Sequence, residues 1–109
     1  LFFYPLDFTF VCPSELIALD RRIPQFKALN VEVIGISIDS QFTHNAWRQT
    51  PVESGGIGLI QYTLVADTTH SICQSYGIEH PDAGCPVCTR LCQWAGSPQY
   101  WIAWSNPWK

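Results

Sequence analysis

The sequence has no methionine, little charge and no long apolar run. Of its 109 residues, 14% are charged and 47% are hydrophobic, a composition typical of a packed globular domain. The formal net charge of −3 argues against nucleic acid or an anionic membrane surface as a partner. No apolar run approaches the roughly 18 to 20 residues that cross a membrane, and no basic segment precedes an apolar one, as in a secretory signal. We therefore expect neither a nucleic-acid nor a membrane partner.

The first residue bears on the origin of the chain, and the cysteine count bears on its location. Since Leu1 is not an initiator and the apolar run 1–4 already reads as a strand, we expect a fragment or a processed piece. Five cysteines cannot all be paired within the chain, which disfavours a secreted disulfide scaffold. A reducing, cytoplasmic location with one or more free thiols is the expectation.

Hydrophobic patterning predicts strands alternating with helices. Short runs of β-branched or apolar residues predict strands at 1–4, 31–39 and 63–66. Helical spacing predicts helices from 12 to about 29, over 41–49, and from 67 to 76. Pro24 lies inside the first of these, so we expect a kink or two helical pieces there. This alternation predicts an α/β fold with a parallel sheet and right-handed crossovers.

The character of the sequence changes after Gly84. Residues 85–109 contain three cysteines, four of the five tryptophans and only two charged residues, with no amphipathic period. We therefore divide the chain into a partial α/β domain, 1–84, and a divergent Cys/Trp-rich tail, 85–109, which we expect to be disordered.

The stretch FYPLDFTFVCPSE, residues 3–15, places Cys12 where a predicted strand passes into a predicted helix. A helix N-terminus favours an anion, so it is expected to lower the thiol pKa from about 8.5 and populate the nucleophilic thiolate. Pro5 would shield one side of the sulfur, and Thr9 supplies a hydroxyl that can orient an oxygen substrate. The alternative is that Cys12 is a small hydrophobe packed under the start of the helix.

The spacing Pro5-x-x-x-Thr9-x-x-Cys12 resembles the peroxidatic loop of the two-cysteine peroxiredoxins, the alkyl hydroperoxide reductase and thiol-specific antioxidant family. The likeness continues through VEVIGISIDSQFTHNAW, through GGIG and LVAD, and through HSICQSYGIEHPDAG, and so covers about residues 1–84. It implies a thioredoxin-like α/β fold, here truncated at both ends.

The resemblance implies a thiol peroxidase with an antioxidant role that reduces hydrogen peroxide and organic hydroperoxides. By motif, Cys12 corresponds to the peroxidatic cysteine that becomes sulfenic acid, Thr9 to the hydroxyl that holds the peroxide, and Pro5 to the shield. Glu15 is similar to the carboxylate in the first helical turn of the family. The expected partners are a peroxide, a thioredoxin-like disulfide reductant and further copies of the chain. No cofactor and no metal are expected.

Two departures from the family pattern lie in or beyond the tail. Cys88 stands near the position where the family has a site arginine, and nothing assigns that role to Arg90, two places on. The resolving cysteine of the family falls in a segment that this sequence does not include. We therefore interpret the tail as foreign sequence, for example from a changed reading frame or an alternative exon. The alternative function is a catalytically impaired fragment that only associates with intact subunits.

Other candidate residues have simpler explanations. The spacing C-x-x-C-x-x-x-C could hold zinc with a fourth ligand, or offer a surrogate resolving thiol, or be incidental. We expect a core position for Cys73, an inward-facing Trp47 on the helix face that also carries His44, and a solvated or capping role for His70. The tail tryptophans are expected to be exposed aromatics rather than a membrane or carbohydrate surface. The residues behind the zinc and tryptophan alternatives are Cys85, Cys88, Cys92, His80, Trp94, Trp101, Trp104 and Trp108.

Overall fold

A computed structural model of the chain describes residues 1–9 and 12–79. Helices and strands alternate as predicted. In chain order the elements are β1 Phe2–Phe3, α1 Cys12–Arg21, α2 Ile23–Ala28, β2 Ile34–Ser37, α3 Gln41–Gln49, a 3-10 turn Val52–Ser54, β3 Thr63–Ala66 and α4 Ser71–Ser75.

The three strands form one parallel sheet in the order β1-β2-β3. Phe2 of β1 pairs with Gly35 of the central strand β2, and Ile34 of β2 pairs with Thr63 of β3. The predicted parallel α/β arrangement is therefore confirmed for the described residues. The central strand is shorter than the predicted run 31–39.

Two apolar clusters lie on the two faces of the sheet. Because successive strand residues point to opposite faces, Phe2 and Tyr4 enter one cluster and Phe3 enters the other. The first cluster also contains the buried face of α1 and α2 and the indole of Trp47, and the second contains Cys73 of α4. Both faces of the sheet are thus covered, as the continuous apolar character of the central strand predicts.

The predicted long first helix is two helices. The first ends at Arg21, and Pro24 lies in the first turn of α2. A proline is tolerated there because the first turn of a helix has no intrahelical acceptor for its N–H groups. The break predicted at Pro24 is confirmed.

The last helix begins later than predicted, at Ser71 instead of residue 67. Asp67 lies just before it and accepts hydrogen bonds from the amides of Ile72 and Cys73, at 3.1 and 2.8 Å. The acidic residue that suggested a helical first turn is in fact the group that satisfies the orphan amides of that turn. The predicted stop at Gly77 is confirmed by its φ of 65°.

None of the described helices is long and apolar enough to cross a membrane. Residues 85–109, with every tail position considered above, lie outside the described residues, as does His80.

Candidate active site

The candidate site lies where β1 passes into α1, at the carboxyl end of a parallel strand. Tyr4 extends the strand pairing, since its N–H donates to the Ile36 carbonyl over 3.1 Å. The chain then leaves the sheet, and α1 starts at Cys12. Ligand sites of open α/β sheets form at such strand ends, beside the unpaired amides of a helix N-terminus. The side chain of Cys12, and residues 10–11, lie outside the described part of the chain.

The three companions predicted for Cys12 flank the start of α1. Pro5 and Thr9 are half-buried on the segment before it, and Glu15 is half-buried in its first turn. The Thr9 hydroxyl donates to the Leu6 carbonyl, with 3.1 Å between the oxygens. That bond uses the single proton of the hydroxyl, so the Thr9 oxygen is left to act as an acceptor.

Phe8, just before Thr9, has a left-handed backbone with φ of 56°. For a bulky residue this conformation costs roughly 1–2 kcal/mol, and strained residues persist where their surroundings hold them. The ring of Phe8 packs against the buried indole of Trp47, with 5.9 Å between ring centroids. Tertiary packing thus contributes to fixing the turn from which Thr9 projects.

A buried polar cluster, formed by Tyr4, Asp7 and His44, lies beneath this segment. The Tyr4 hydroxyl donates to Asp7 Oδ1 over 2.7 Å, and His44 Nδ1 lies 2.6 Å from Asp7 Oδ2. The other ring nitrogen, His44 Nε2, lies 3.2 Å from the Val65 carbonyl oxygen. All three side chains are buried. The cluster therefore ties the segment after β1 to α3 and to β3.

The backbone of the segment is anchored to β2 as well. The Asp7 amide donates to Asp39 Oδ2 over 2.8 Å, and the buried Ser37 hydroxyl donates to the same oxygen over 2.7 Å. Asp39 lies two residues past the end of β2, so the same strand end fixes both its own side chain and the turn after β1.

Burial and neighbouring charges set the ionisation of this cluster. Burial, with the charge and hydrogen bond of Asp7 added to it, raises the pKa of Tyr4 far above its usual range, so the phenol stays protonated. Burial alone would lower the pKa of His44. The hydrogen bond and charge of Asp7, the Val65 carbonyl and the charge of Asp39 outweigh burial and raise that pKa above its usual value.

The sequence did not single out Tyr4, Asp7 and Asp39, and it did not indicate that His44 is buried with them. One signal was available: the predicted strand end and the quoted motif contain a tyrosine and an acid between apolar residues. A polar residue in such a position needs a buried partner. Its partner, His44, is far along the chain, and helical spacing alone only assigns it to a face.

The remaining candidates behave as structural residues. Cys73 is fully buried, as predicted, and burial, then the hydrogen bond and charge of Asp67, raise its pKa to about 12. It is thus an un-ionised thiol at neutral pH and a poor nucleophile. Trp47 is packed inward as predicted, and its indole N–H donates to the Gly55 carbonyl over 3.0 Å. His70 precedes α4 without capping it and pairs with Glu79.

Within residues 1–9 and 12–79, no three His, Cys, Asp or Glu residues come together as ligands for a metal ion. The residues that could hold zinc, Cys85, Cys88, Cys92 and His80, lie outside that part of the chain.

Known proteins resemble most of this chain. It is 54% identical over 84 residues to 2-Cys peroxiredoxin BAS1, chloroplastic, of Hordeum vulgare, covering 77% of this chain and 40% of the relative. It is 51% identical over 84 residues to alkyl hydroperoxide reductase C of Buchnera aphidicola, covering 77% of this chain and 43% of the relative. The crystal structure of reduced Plasmodium vivax 2-Cys peroxiredoxin superposes with a TM-score of 0.77 at 50% identity.

That superposition covers 80% of this chain and 45% of the solved one. The chain thus matches less than half the length of each of these three relatives. At this identity and TM-score the likeness confirms the predicted thioredoxin-like α/β fold.

A family model defines the family most directly. The model described as the AhpC/TSA family matches residues 1–92, which is most of the chain and includes the whole candidate site. The chain therefore belongs to the AhpC/TSA family.

Proposed function

We propose that the chain acts as a thiol-specific peroxidase that reduces hydrogen peroxide and organic hydroperoxides through Cys12. The observation that carries this proposal is the position of Cys12 as the first residue of a ten-residue helix, directly after the segment that holds Pro5 and Thr9. The positive end of the helix dipole favours a thiolate at this position. Membership of the AhpC/TSA family supports the same reaction.

In the proposed reaction the Cys12 thiolate attacks one oxygen of the peroxide. An S–O bond forms, the O–O bond breaks, and the second oxygen leaves as hydroxide or alkoxide and takes up a proton to give water or an alcohol. Sulfur loses two electrons and becomes sulfenic acid. One thiol of a thioredoxin-type dithiol then attacks the sulfenic sulfur and displaces its oxygen as water, which forms a mixed disulfide. The second thiol of the reductant releases Cys12 as the thiol and leaves the reductant as an internal disulfide.

Thr9 is proposed to hold the peroxide during the attack. Its hydroxyl proton is engaged by the Leu6 carbonyl, so its oxygen can accept the O–H of the substrate. A peroxide held in this way presents its oxygens at a fixed distance from the thiolate, which lowers the entropic cost of the reaction. Pro5, which has no N–H to donate, would shield the thiolate, and Glu15 would contribute a carboxylate from the first turn of α1.

The partners and location follow from the same proposal. The expected partners are a thioredoxin-like reductant and further copies of the chain in a homo-oligomer. A cytoplasmic location suits the reaction because a reducing compartment regenerates the thiol. The division into a peroxidase domain, 1–84, and a divergent tail, 85–109, remains part of the proposal.

Peroxide consumption with a dithiol reductant tests the function. The 109-residue chain should consume hydrogen peroxide catalytically, and Cys12→Ser should not. The matched control is Cys73→Ser, which removes a buried, protonated thiol and should leave turnover in place if the chain folds. Equal rates for the wild type and Cys12→Ser would refute the proposal.

The same assay distinguishes a peroxidase that turns over from the alternative, a catalytically impaired fragment. The chain matches 43% and 40% of two relatives, and a catalytically impaired fragment would stop after one oxidation of Cys12. Oxidation of Cys12 by one equivalent of peroxide without further turnover, together with co-purification with an intact family member, would favour that alternative.

A further inference from the structure

His44 lies between two acceptors. Its Nδ1 is 2.6 Å from Asp7 Oδ2, and its Nε2 is 3.2 Å from the Val65 carbonyl oxygen. A neutral imidazole has one N–H and can donate to only one of them, whereas an imidazolium donates to both. The cationic ring is the form that fits these surroundings.

We propose that His44 is a buried imidazolium and a positioning residue, which holds the segment 4–9 against the sheet through Asp7. The inference rests on the proposed function only in its consequence for catalysis: the segment that His44 holds is the one that presents Thr9 and leads to Cys12.

Three parts of the chain provide groups that interact with the ring. The segment after β1 provides the carboxylate of Asp7 and the hydroxyl of Tyr4, whose oxygen is 3.4 Å from His44 Nδ1. The end of β2 provides the negative charge of Asp39, and β3 provides the Val65 carbonyl. Among the residues that the structure describes, the charged groups that act on the ring are the carboxylates of Asp7 and Asp39, and both favour the cation.

Loss of the second proton would break this arrangement. The Asp7 carboxylate is the stronger acceptor, so the remaining N–H would stay on Nδ1. The Nε2 lone pair would then face the Val65 carbonyl oxygen, and the ring would have to shift. Because Asp7 is bonded through its side chain to His44 and through its amide to Asp39, a shifted ring displaces the segment that carries Thr9.

Proton NMR of the wild-type chain tests the charge state without any variant. We expect the His44 imidazole to titrate above about 6.5, the ordinary value for histidine. Asn45→His places a reference imidazole on the exposed neighbour of the same helix, and that ring should titrate near the ordinary value. A His44 midpoint at or below the reference would overturn the proposal.

The backbone amides of Asp7 and Thr9 test the coupling. In the wild type their chemical shifts should change over the pH range in which His44 titrates. In His44→Asn this pH-dependent change should vanish, and the hydrogen of the Asp7 amide should exchange with solvent about tenfold faster. The control Asn45→Ala should behave as the wild type. Amides that ignore the His44 titration would overturn the positioning role, even if His44→Asn fails to fold.

The two proposals fail separately. If the amides follow His44 and Cys12 does not react with peroxide, the peroxidase function fails and the positioning role stands. If Cys12 reacts with peroxide while the Thr9 amide ignores His44, the positioning role fails and the function stands.

Discussion

Thr9 is the described residue that we propose holds the peroxide. Its hydroxyl proton is donated to the Leu6 carbonyl, so its oxygen is left to act as an acceptor on the segment before α1. Thr9→Val keeps the β-branched shape and removes the hydroxyl. We expect the rate of Cys12 oxidation by hydrogen peroxide to fall by about tenfold or more, as for a lost hydrogen bond in the transition state.

A thiol-alkylating reagent provides the comparison for this variant. Iodoacetamide needs the Cys12 thiolate but not an acceptor for a peroxide O–H, so its rate should change little in Thr9→Val. Thr9→Ser, which restores the hydroxyl, should recover most of the peroxide rate. Equal losses with both reagents would mean that Thr9 only supports the fold.

For single residues, the sequence predicts features that depend on neighbouring positions in the chain. Pro5, Thr9 and Cys12 fall within eight residues, and their spacing carries the family resemblance. The pair formed by Asp7 and His44 joins residues 37 apart, and it forms because the segment after β1 packs against α3. No periodicity in either segment encodes that contact, so it could not be predicted.

Among the helices, α4 depends on the side chain of a single residue, Asp67, to accept hydrogen bonds from its first amides. Asp67 receives the amides of Ile72 and Cys73, so Asp67→Ala should lower the free energy of unfolding by about 1 kcal/mol, the usual effect of losing a helix cap. Asp67→Asn keeps an acceptor oxygen and should lose less. Chemical denaturation of the three chains measures the difference, and identical midpoints would contradict the capping role.

Asp67 also gives the helix a defined pH dependence. Burial raises its pKa, but the hydrogen bonds from Cys73 and Ile72 outweigh that effect and lower it below its usual value. Its contribution to stability is therefore present above about pH 4, the unfolded pKa, and is lost as the pH falls through the lower folded pKa. Asp67→Asn should remove this acid-induced loss.

The glycine-rich loop after α3 offers a sharp test of packing. A Cβ added to Gly56 would lie 1.9 Å from the Thr50 carbonyl oxygen, so the backbone would have to move. Overpacking of this kind costs about 1–3 kcal/mol or more. We expect Gly56→Ala to be clearly less stable than the wild type.

Gly55→Ala is the matched control for this loop. Gly55 has a positive φ of 86° but nothing within 4 Å of the added atom, so the cost should be limited to about 1–2 kcal/mol of backbone strain. Thermal unfolding compares the two variants. A Gly55→Ala chain less stable than Gly56→Ala would contradict the described loop.

Helices and strands were predictable where the hydrophobic periodicity agreed with residues that favour or break an element. The helix 41–49, the strand 63–66 and the break at Pro24 were predicted because spacing, β-branching and proline each point to one structure. The start of α4 was not, since an acidic residue before a helix can be its first turn or its cap. Only the contact between Asp67 and the amides distinguishes the two.

At the scale of the whole molecule, the buried cluster of Tyr4, Asp7 and His44 should make stability depend on pH. The pKa of His44 is raised in the folded chain. Its contribution is therefore full below about pH 6.5, the unfolded pKa, and is lost as the pH rises through the folded pKa. Thermal unfolding across this window should show the loss in the wild type and not in His44→Asn. A pH dependence identical in both would contradict the account.

Single-turnover oxidation tests the proposal that Cys12 is a peroxide-reactive thiol. The reduced chain would be mixed with one equivalent of hydrogen peroxide, trapped with a sulfenic-acid reagent and digested for mass spectrometry. We predict that the Cys12 peptide is labelled at least about a hundredfold faster than a model thiol, while the Cys73 peptide is not. Labelling of Cys12 no faster than the model thiol would contradict the account.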